Sequence, residues 1–596
     1  KKGAKLVLAG LKVSLEEARE VGITVASSST DEHVIVTNPE DSTKLLQKAW
    51  GDIFAVKGDF DEEEARSFLS AYLAETKWDW GECKPPCLES VEEYLRIVKN
   101  SAPGLDGIPN SAWKVTAKYT GKHILNLIDA FCCGGMIPYN FNYGLFVFIP
   151  KPMGPVMNAV FCHPLELRPL TLKNTDNKCV AGILNWALHP VVKVSACVLQ
   201  RGFVQDRQLS QNPIDLDYDA RREALKFGGR RQHSLNFICD LNLCKEGLIN
   251  LIPLMLLFDF AAAFPSVKHA WLFCLLKLIG IPRGLLKALE RMYDANEAYY
   301  ECGGDLQWLF YVISGVLQGC PLSGSLFVIC MDPLLYLFKT KIEDQGLGMV
   351  RACADDVGAT LGALLLLPIF HDGFSRFKRI SGLSLKPKKC VLILTTCIAS
   401  TENVEVIRKW LRTHCPEWSN FQISNVGKYL GFQMGPKAGE LQWKAPLDKF
   451  KNRVREIHSE APPLGLVGSR LASKATSVLG YIAQLASIPP LFKSTELWAA
   501  HKVLNMPLSL NTDAIYDLHK LGGVRIYRVA HYMRSCMLRA ASTLMSGFEQ
   551  MHFDLVKLAP ARTPIFNLNN PGVDLRPSGC QAPALSPNST LSPPGY

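Results

Sequence analysis

Long hydrophobic runs are missing from this sequence. The longest apolar stretch, Val357 to Phe370, has 14 residues and contains Gly, Thr and Pro, whereas a spanning helix needs about 20. No membrane partner is expected. Leu6 to Leu11 is too short for a secretory h-region and runs into an acidic amphipathic stretch. Clustered cysteine is missing as well: the 19 Cys are spread over 596 residues. Cys83 with Cys87, and Cys239 with Cys244, have no Cys/His pair at zinc spacing. They read as reduced, mostly buried thiols of an intracellular protein. Charged residues are sparse at 20%, but hydrophobic residues reach 48%, which excludes wholesale disorder. No repeat occurs at a period of roughly 20–50 residues. The chain opens on Lys1 and reads as a fragment or processed product.

What is present is a mildly basic chain of net charge +10, compatible with a polyanionic partner. Residues 1–90 mix short apolar runs with acidic stretches. Residues 91–215 carry turn signals and then a strand-like run, Leu145 to Ile149. Residues 216–435 alternate apolar strands with long helices, and residues 226–250 look like an insert. Residues 436–550 read as helical and partly basic, and 551–596 as a flexible Pro-rich tail.

The chemistry concentrates in acidic residues placed at the ends of apolar runs. Leu254 to Phe258 is apolar throughout and stops at Asp259. A charge at the end of a buried strand needs a reason; an N-cap for the next helix is the ordinary one. Asp355 and Asp356 lie between two further apolar segments, where an Asp-rich turn is the ordinary reading. Brought together, carboxylates about 4 Å apart repel by on the order of 4 kcal/mol per pair at an effective dielectric of about 20. A divalent ion offsets that, and oxygen ligands favour Mg²⁺. Between these acids lies Ser314 to Phe327, where Gly315 and Gly319 permit close backbone approach, Gln318 adds polar groups and an apolar helix follows.

The order and spacing of these blocks resemble reverse transcriptases, in particular those of non-LTR retrotransposons. Ser101 to Pro109 is similar to the family's PGxDGIP block. Phe148 to Lys151 and Leu167 to Leu172 are similar to its IPK and RPISL blocks. Gln200 to Arg207 is similar to QxGFxxxR, Gly382 to Lys389 to GLxxNxxK, and Lys428 to Gly431 to the YLG block. The resemblance runs from about residue 95 to 435.

It implies an α+β right-hand polymerase fold with fingers (91–215), a palm of antiparallel sheet plus helices (216–435) and a helical thumb (436–550). The implied activity is RNA-directed DNA polymerisation, a two-metal transfer of a nucleotide from dNTP to a primer 3′-OH. The implied metal is Mg²⁺, as two ions, with Mn²⁺ as a substitute. The implied partners are an RNA template, a DNA primer or target, and dNTPs, and the implied compartment is the nucleus. Residue by residue, Asp259 and Asp355 would hold both metals with Asp356 in support, and Lys389 would protonate leaving pyrophosphate. Lys151 and Arg168 would grip the triphosphate, near Gln318 and Gly319. Phe264 would lie under the sugar and exclude a 2′-OH. Cys353, Tyr429 and Gly431 would meet the primer end. Four positions depart from the family pattern: Cys353 for an aromatic, Gly324 for Pro, Cys320 for a polar residue and Lys386 for Asn. They raise the alternative of a catalytically decayed RNA-binding protein with the same fold. Basic residues between 444 and 474 of the thumb would follow a duplex backbone.

Overall fold

The computed structural model describes residues 7–23, 33–55, 59–151, 159–229, 243, 247–439, 441–507, 512–558, 566–567 and 570–574. The strand Leu254–Phe258 is buried at every position. An apolar run without alternation suits a strand covered on both faces, and this one is central in its sheet. The five-stranded order is Gln422–Ser424, Val391–Leu394, Leu254–Phe258, Asp356–Leu361, Gly348–Cys353. The last two form an antiparallel hairpin, and Asp356–Leu361 also pairs antiparallel with the central strand, Val357 facing Phe258. On one face Phe258 packs against Phe370, Phe374 and Trp418, with ring centroids 4.7–5.7 Å apart. The buried helix Ser323–Phe338 joins the same core. The other face carries Met255, Leu257 and Ile393 into a core shared with the thumb.

A second sheet of four strands, which we call the fingers sheet, is ordered Leu167–Lys173, Tyr143–Pro150, Glu297–Cys302, Asp305–Tyr311; its first two strands come from the stretch expected as fingers and its last two from the stretch expected as palm. Described residues among the first 90 pack on both sheets. Val7–Ser14 pairs in parallel with Ala159–Cys162. The helix Pro39–Phe54 places Phe54 against Phe310, rings stacked at 5.3 Å. In the next helix, Glu62–Glu75, the Tyr72 hydroxyl donates to Asp332 at 2.8 Å.

The thumb helices Leu441–Glu460, Phe492–Leu504 and Val529–Leu558 meet around Phe450, Ile457, Leu479, Phe492 and Met533. Most of the suspected insert, 230–242 and 244–246, and most of the Pro-rich tail lie outside the described residues. Among the described residues no helix is long and apolar enough to cross a membrane. No described Cys is in a disulfide, but burial is less general than expected, with Cys87 and Cys133 exposed.

Leu256, fully buried opposite Ala359 and Leu392, tests the central strand. Leu256→Ala should cost ~2–5 kcal/mol, read as an earlier urea transition. An unchanged midpoint would contradict this packing.

Candidate functional site

Continuing the register that sets Val357 against Phe258, the next step puts Asp356 across from Asp259. Cys353 pairs with Asp356, so Ala354 and Asp355 form the hairpin's two-residue turn. Ala354 takes φ 56°. The opposite flank of Asp259 is closed by the block after Gly382: Lys386 N–H donates to Asp259 O at 2.7 Å and Ala261 N–H to Ser384 O at 2.8 Å. Phe260 bridges Leu385. All three acids thus collect at one end of one sheet.

Their charges interact. The Asp355 carboxyl is raised by burial and by Asp259, against the pull of Arg168. Asp356 is pushed up to about 6 by burial, then by Asp355 and Asp259. Asp356 is open to solvent and still feels burial, as a group on the floor of a cleft does. Among the described residues no group of three or more Asp, Glu, His or Cys is arranged to hold a metal ion without further ligands. Oxygen ligands that repel one another, in a cleft open to solvent, nevertheless fit a divalent ion that keeps water and substrate phosphate in its shell.

Cations face these acids. Arg168 pairs across the fingers sheet with Ile149, and Lys151 N–H donates to Glu166 O at 3.2 Å. The Lys151 ammonium is lowered by burial, then by the charges of Lys389, Lys386 and Arg168, while Asp259 raises it. Arg168, Lys389 and Asp259 therefore all lie close enough to Lys151 for their charges to act on it. Lys386, which had no assigned role, joins them.

Phe264 is half-buried, its ring stacked on Phe327 at 4.5 Å and edge-on to Phe203 at 5.9 Å. Its backbone is fixed by Val316 N–H, 2.8 Å from Phe264 O. Gln318 O accepts from Thr171 N–H at 2.8 Å, stitching the loop to the fingers strand. Gly319 has φ 112°, and a Cβ there would lie 2.6 Å from Thr171 O. Only Gly fits so close a crossing.

Tyr429 corrects the expectation of direct primer contact. It is 3% exposed and sits behind the hairpin, its hydroxyl donating toward Arg351 O (3.1 Å) and Asp356 O (3.3 Å). A ring so buried offers the primer no surface. Gly431 is exposed beside Tyr481, whose hydroxyl donates to Leu430 O at 2.7 Å. The Tyr481 phenol is pushed up to about 12 by burial and then by Cys353 and Asp356. This thumb aromatic, near enough to Cys353 and Asp356 for their charges to act on it, was missed in the sequence. The basic thumb face is also partly neutralised: Glu460 pairs with Arg470 and Lys474, Glu456 lies 3.9 Å from Arg453, and Arg455 lies over Trp498.

Also missed was the ion network under the hairpin. Arg351 bonds Asp215 at 2.6 Å and Glu343 at 2.8 Å, and Arg201 bonds Asp215 at 2.8 Å. Arg351 and Asp215 are 136 positions apart in sequence, so no local pattern links them.

Residues 149–434 match the family model for reverse transcriptase (RNA-dependent DNA polymerase). Over 449 residues the chain is 26% identical to the Pol polyprotein of the type-2 retrotransposable element R2DM of Drosophila melanogaster, covering 72% of this chain and 38% of that protein. It is 23% identical to the Pol polyprotein of a type-1 R2 element of Bradysia coprophila, covering 67% and 42%. The chain thus spans about two fifths of the length of these relatives. Among solved structures, a telomerase of Candida albicans in complex with a telomeric RNA fragment matches with 11% identity and a TM-score of 0.33, over 71% of this chain and 66% of that one.

Removing Arg351 tests the network. The Asp215 carboxyl feels burial, which raises it, but Arg351 and Arg201 more than offset this and hold it below its ordinary value. Its contribution is present above the unfolded pKa of about 4 and fades as pH falls further. Arg351→Met should cost ~3–5 kcal/mol near neutral pH, because it leaves a buried carboxylate half-paired. The penalty should hold down to about pH 4 and shrink as pH falls further and Asp215 is protonated. Urea melts on both sides of that pH check it; a penalty independent of pH would contradict the assignment.

Proposed function

Residues 149–434 belong to the reverse transcriptase family, of the non-LTR retrotransposon type, and from that premise we propose that this chain is the RNA-directed DNA polymerase of a retrotransposon-like element, extending a DNA primer on an RNA template. The observation that carries the reading is the meeting of Asp259 with the 355–356 turn, at a sheet end faced by Lys151, Arg168 and Lys389.

Asp259 and Asp355 hold the divalent ions, and Asp356 adds negative charge beside them. Two bound Mg²⁺ ions would supply activation of the primer 3′-OH and stabilisation of the leaving oxygens. Lys151 and Arg168 orient the triphosphate, Arg168 through its forked donors. Lys389 gives a proton to departing pyrophosphate. Phe264, backed by Phe327, presents a wall where a 2′-OH would sit, which selects dNTPs over rNTPs. The decayed alternative draws on Cys353, where the family has an aromatic. Tyr481, packed on Gly431 and near enough to that thiol for its charge to act on the phenol, is the aromatic we assign to the primer end, which favours activity.

Asp355→Asn should slow primer extension at least about a thousandfold, on the order of 4 kcal/mol of barrier, with template–primer affinity little changed. Extension near the parent rate would reject Asp355 as a ligand. Binding of template–primer by the parent chain without any dNTP incorporation would favour the decayed reading. Phe264→Ala should raise rNTP incorporation relative to dNTP, measured as the ratio of the two kcat/KM values. An unchanged ratio would return Phe264 to a packing role.

A further inference from the structure

The block Gln200 to Arg207 has no role of its own in the function proposed, though its Phe203 meets Phe264, and it encloses the carboxylate hairpin. Ala352 N–H donates to Leu199 O at 2.9 Å, and Arg201 N–H donates to Ala352 O at 2.8 Å. The Arg207 guanidinium gathers the carbonyls of Cys197 (2.6 Å), Ala196 (2.7 Å) and Gln200 (2.8 Å), which ties the segment into a collar. Gly202 presses against the turn: a Cβ there would fall 2.4 Å from Ala354 N.

Gln200 is the collar's contact with the turn itself. It is fully buried. Its Oε1 accepts from Ala354 N–H at 2.8 Å and from Gly202 N–H at 2.9 Å. Its Nε2 donates to Ala354 O at 3.4 Å. One side-chain amide therefore holds the peptide groups on both sides of Ala354. These two groups define the φ and ψ of that residue. Ala354 needs such a hold, because a non-Gly residue at φ 56° is in a disfavoured region. The carbonyl that Nε2 engages belongs to the peptide leading into Asp355, so the hold also aims the Asp355 carboxylate.

We infer that Gln200 is a positioning residue for nucleotidyl transfer, fixing the strained turn that carries Asp355. The inference rests on the function proposed above. It reaches the reaction only through Asp355, so removing the amide should affect metal use and turnover and leave template–primer affinity alone.

The test is hydrogen exchange of peptides covering 350–358, read beside primer extension. In the parent, the Ala354 amide should exchange slowly; fast exchange there would overturn the inference without any variant. Gln200→Met keeps the side chain's length and removes both hydrogen-bonding groups. It should speed exchange at the turn, raise the Mg²⁺ concentration for half-maximal extension several-fold, and lower kcat at least about tenfold, as expected for an ångström-scale misplacement. Template–primer Kd should stay within about twofold. Unchanged exchange would overturn the inference. So would faster exchange with parental kcat and Mg²⁺ dependence, since that would be a packing role only. If the parent extends no primer, the proposed function fails instead. Exchange and Mn²⁺ binding then decide Gln200: weakened Mn²⁺ binding in Gln200→Met supports it, and equal binding overturns it.

Discussion

The antiparallel pairing of Leu254–Phe258 with Asp356–Leu361 is the constraint on which the site depends. A strand buried at every position cannot carry a charge within its length, so its acid must stand where the burial stops. The partner strand obeys the same rule from the other direction. Because register in a buried sheet cannot slip by one residue without turning every side chain to the opposite face, the two acidic ends are held side by side. The burial of Phe258 among Phe370, Phe374 and Trp418 therefore contributes to the position of Asp259 as much as any polar contact does.

That juxtaposition is electrostatically unfavourable by itself. Asp355 and Asp356 are both held above the ordinary carboxylate range, by burial first and then by neighbouring acids. The fold answers with cations from two directions, Lys151 and Arg168 from the fingers sheet and Lys386 and Lys389 from the segment beside Asp259. Those cations also repel one another, so the cleft has unspent attraction for both a cation and a polyanion. A divalent ion with a triphosphate satisfies both at once.

Behind the hairpin lies a second polar layer. Gln200, Asn212, Arg351 and Tyr429 bond its backbone or one another, and Asp215 joins Arg201 to Arg351. Each of these groups is satisfied by partners on other segments. A buried polar network of this kind rigidifies a site when complete and is costly when broken. The layer holds the carboxylates from below, while the cleft in front stays open.

Several features were legible in the residues alone. The apolar run before Asp259, the Asp pair between apolar segments and the Gly-rich loop are local patterns. Each reflects a backbone or burial requirement met within a few residues, so the palm hairpin and its loop could be anticipated with their numbers. Gly319 is an example: its φ demands Gly whatever the rest of the chain does. Other features were decided by tertiary structure. Tyr429 lies in a recognisable block, yet only packing against Gly358 and Leu216 buries it and turns its hydroxyl to the hairpin backbone. Tyr481 reaches Leu430 and Gly431, at the end of the hairpin block, only because the thumb core docks on the palm. The basic thumb residues look like one charged face in sequence, but Glu456 and Glu460 take up three of them once the helices turn. By itself the sequence determined the strand ends where acids can stand and the local turns they occupy, because those depend on burial and dihedral limits over short spans; the roles of Lys151, Arg168, Phe264 and Lys389 came from the family resemblance. Which of them face the cleft, and which brace it from behind, was decided by contacts across a hundred or more residues, and those form only when the sheet and the thumb close on one another.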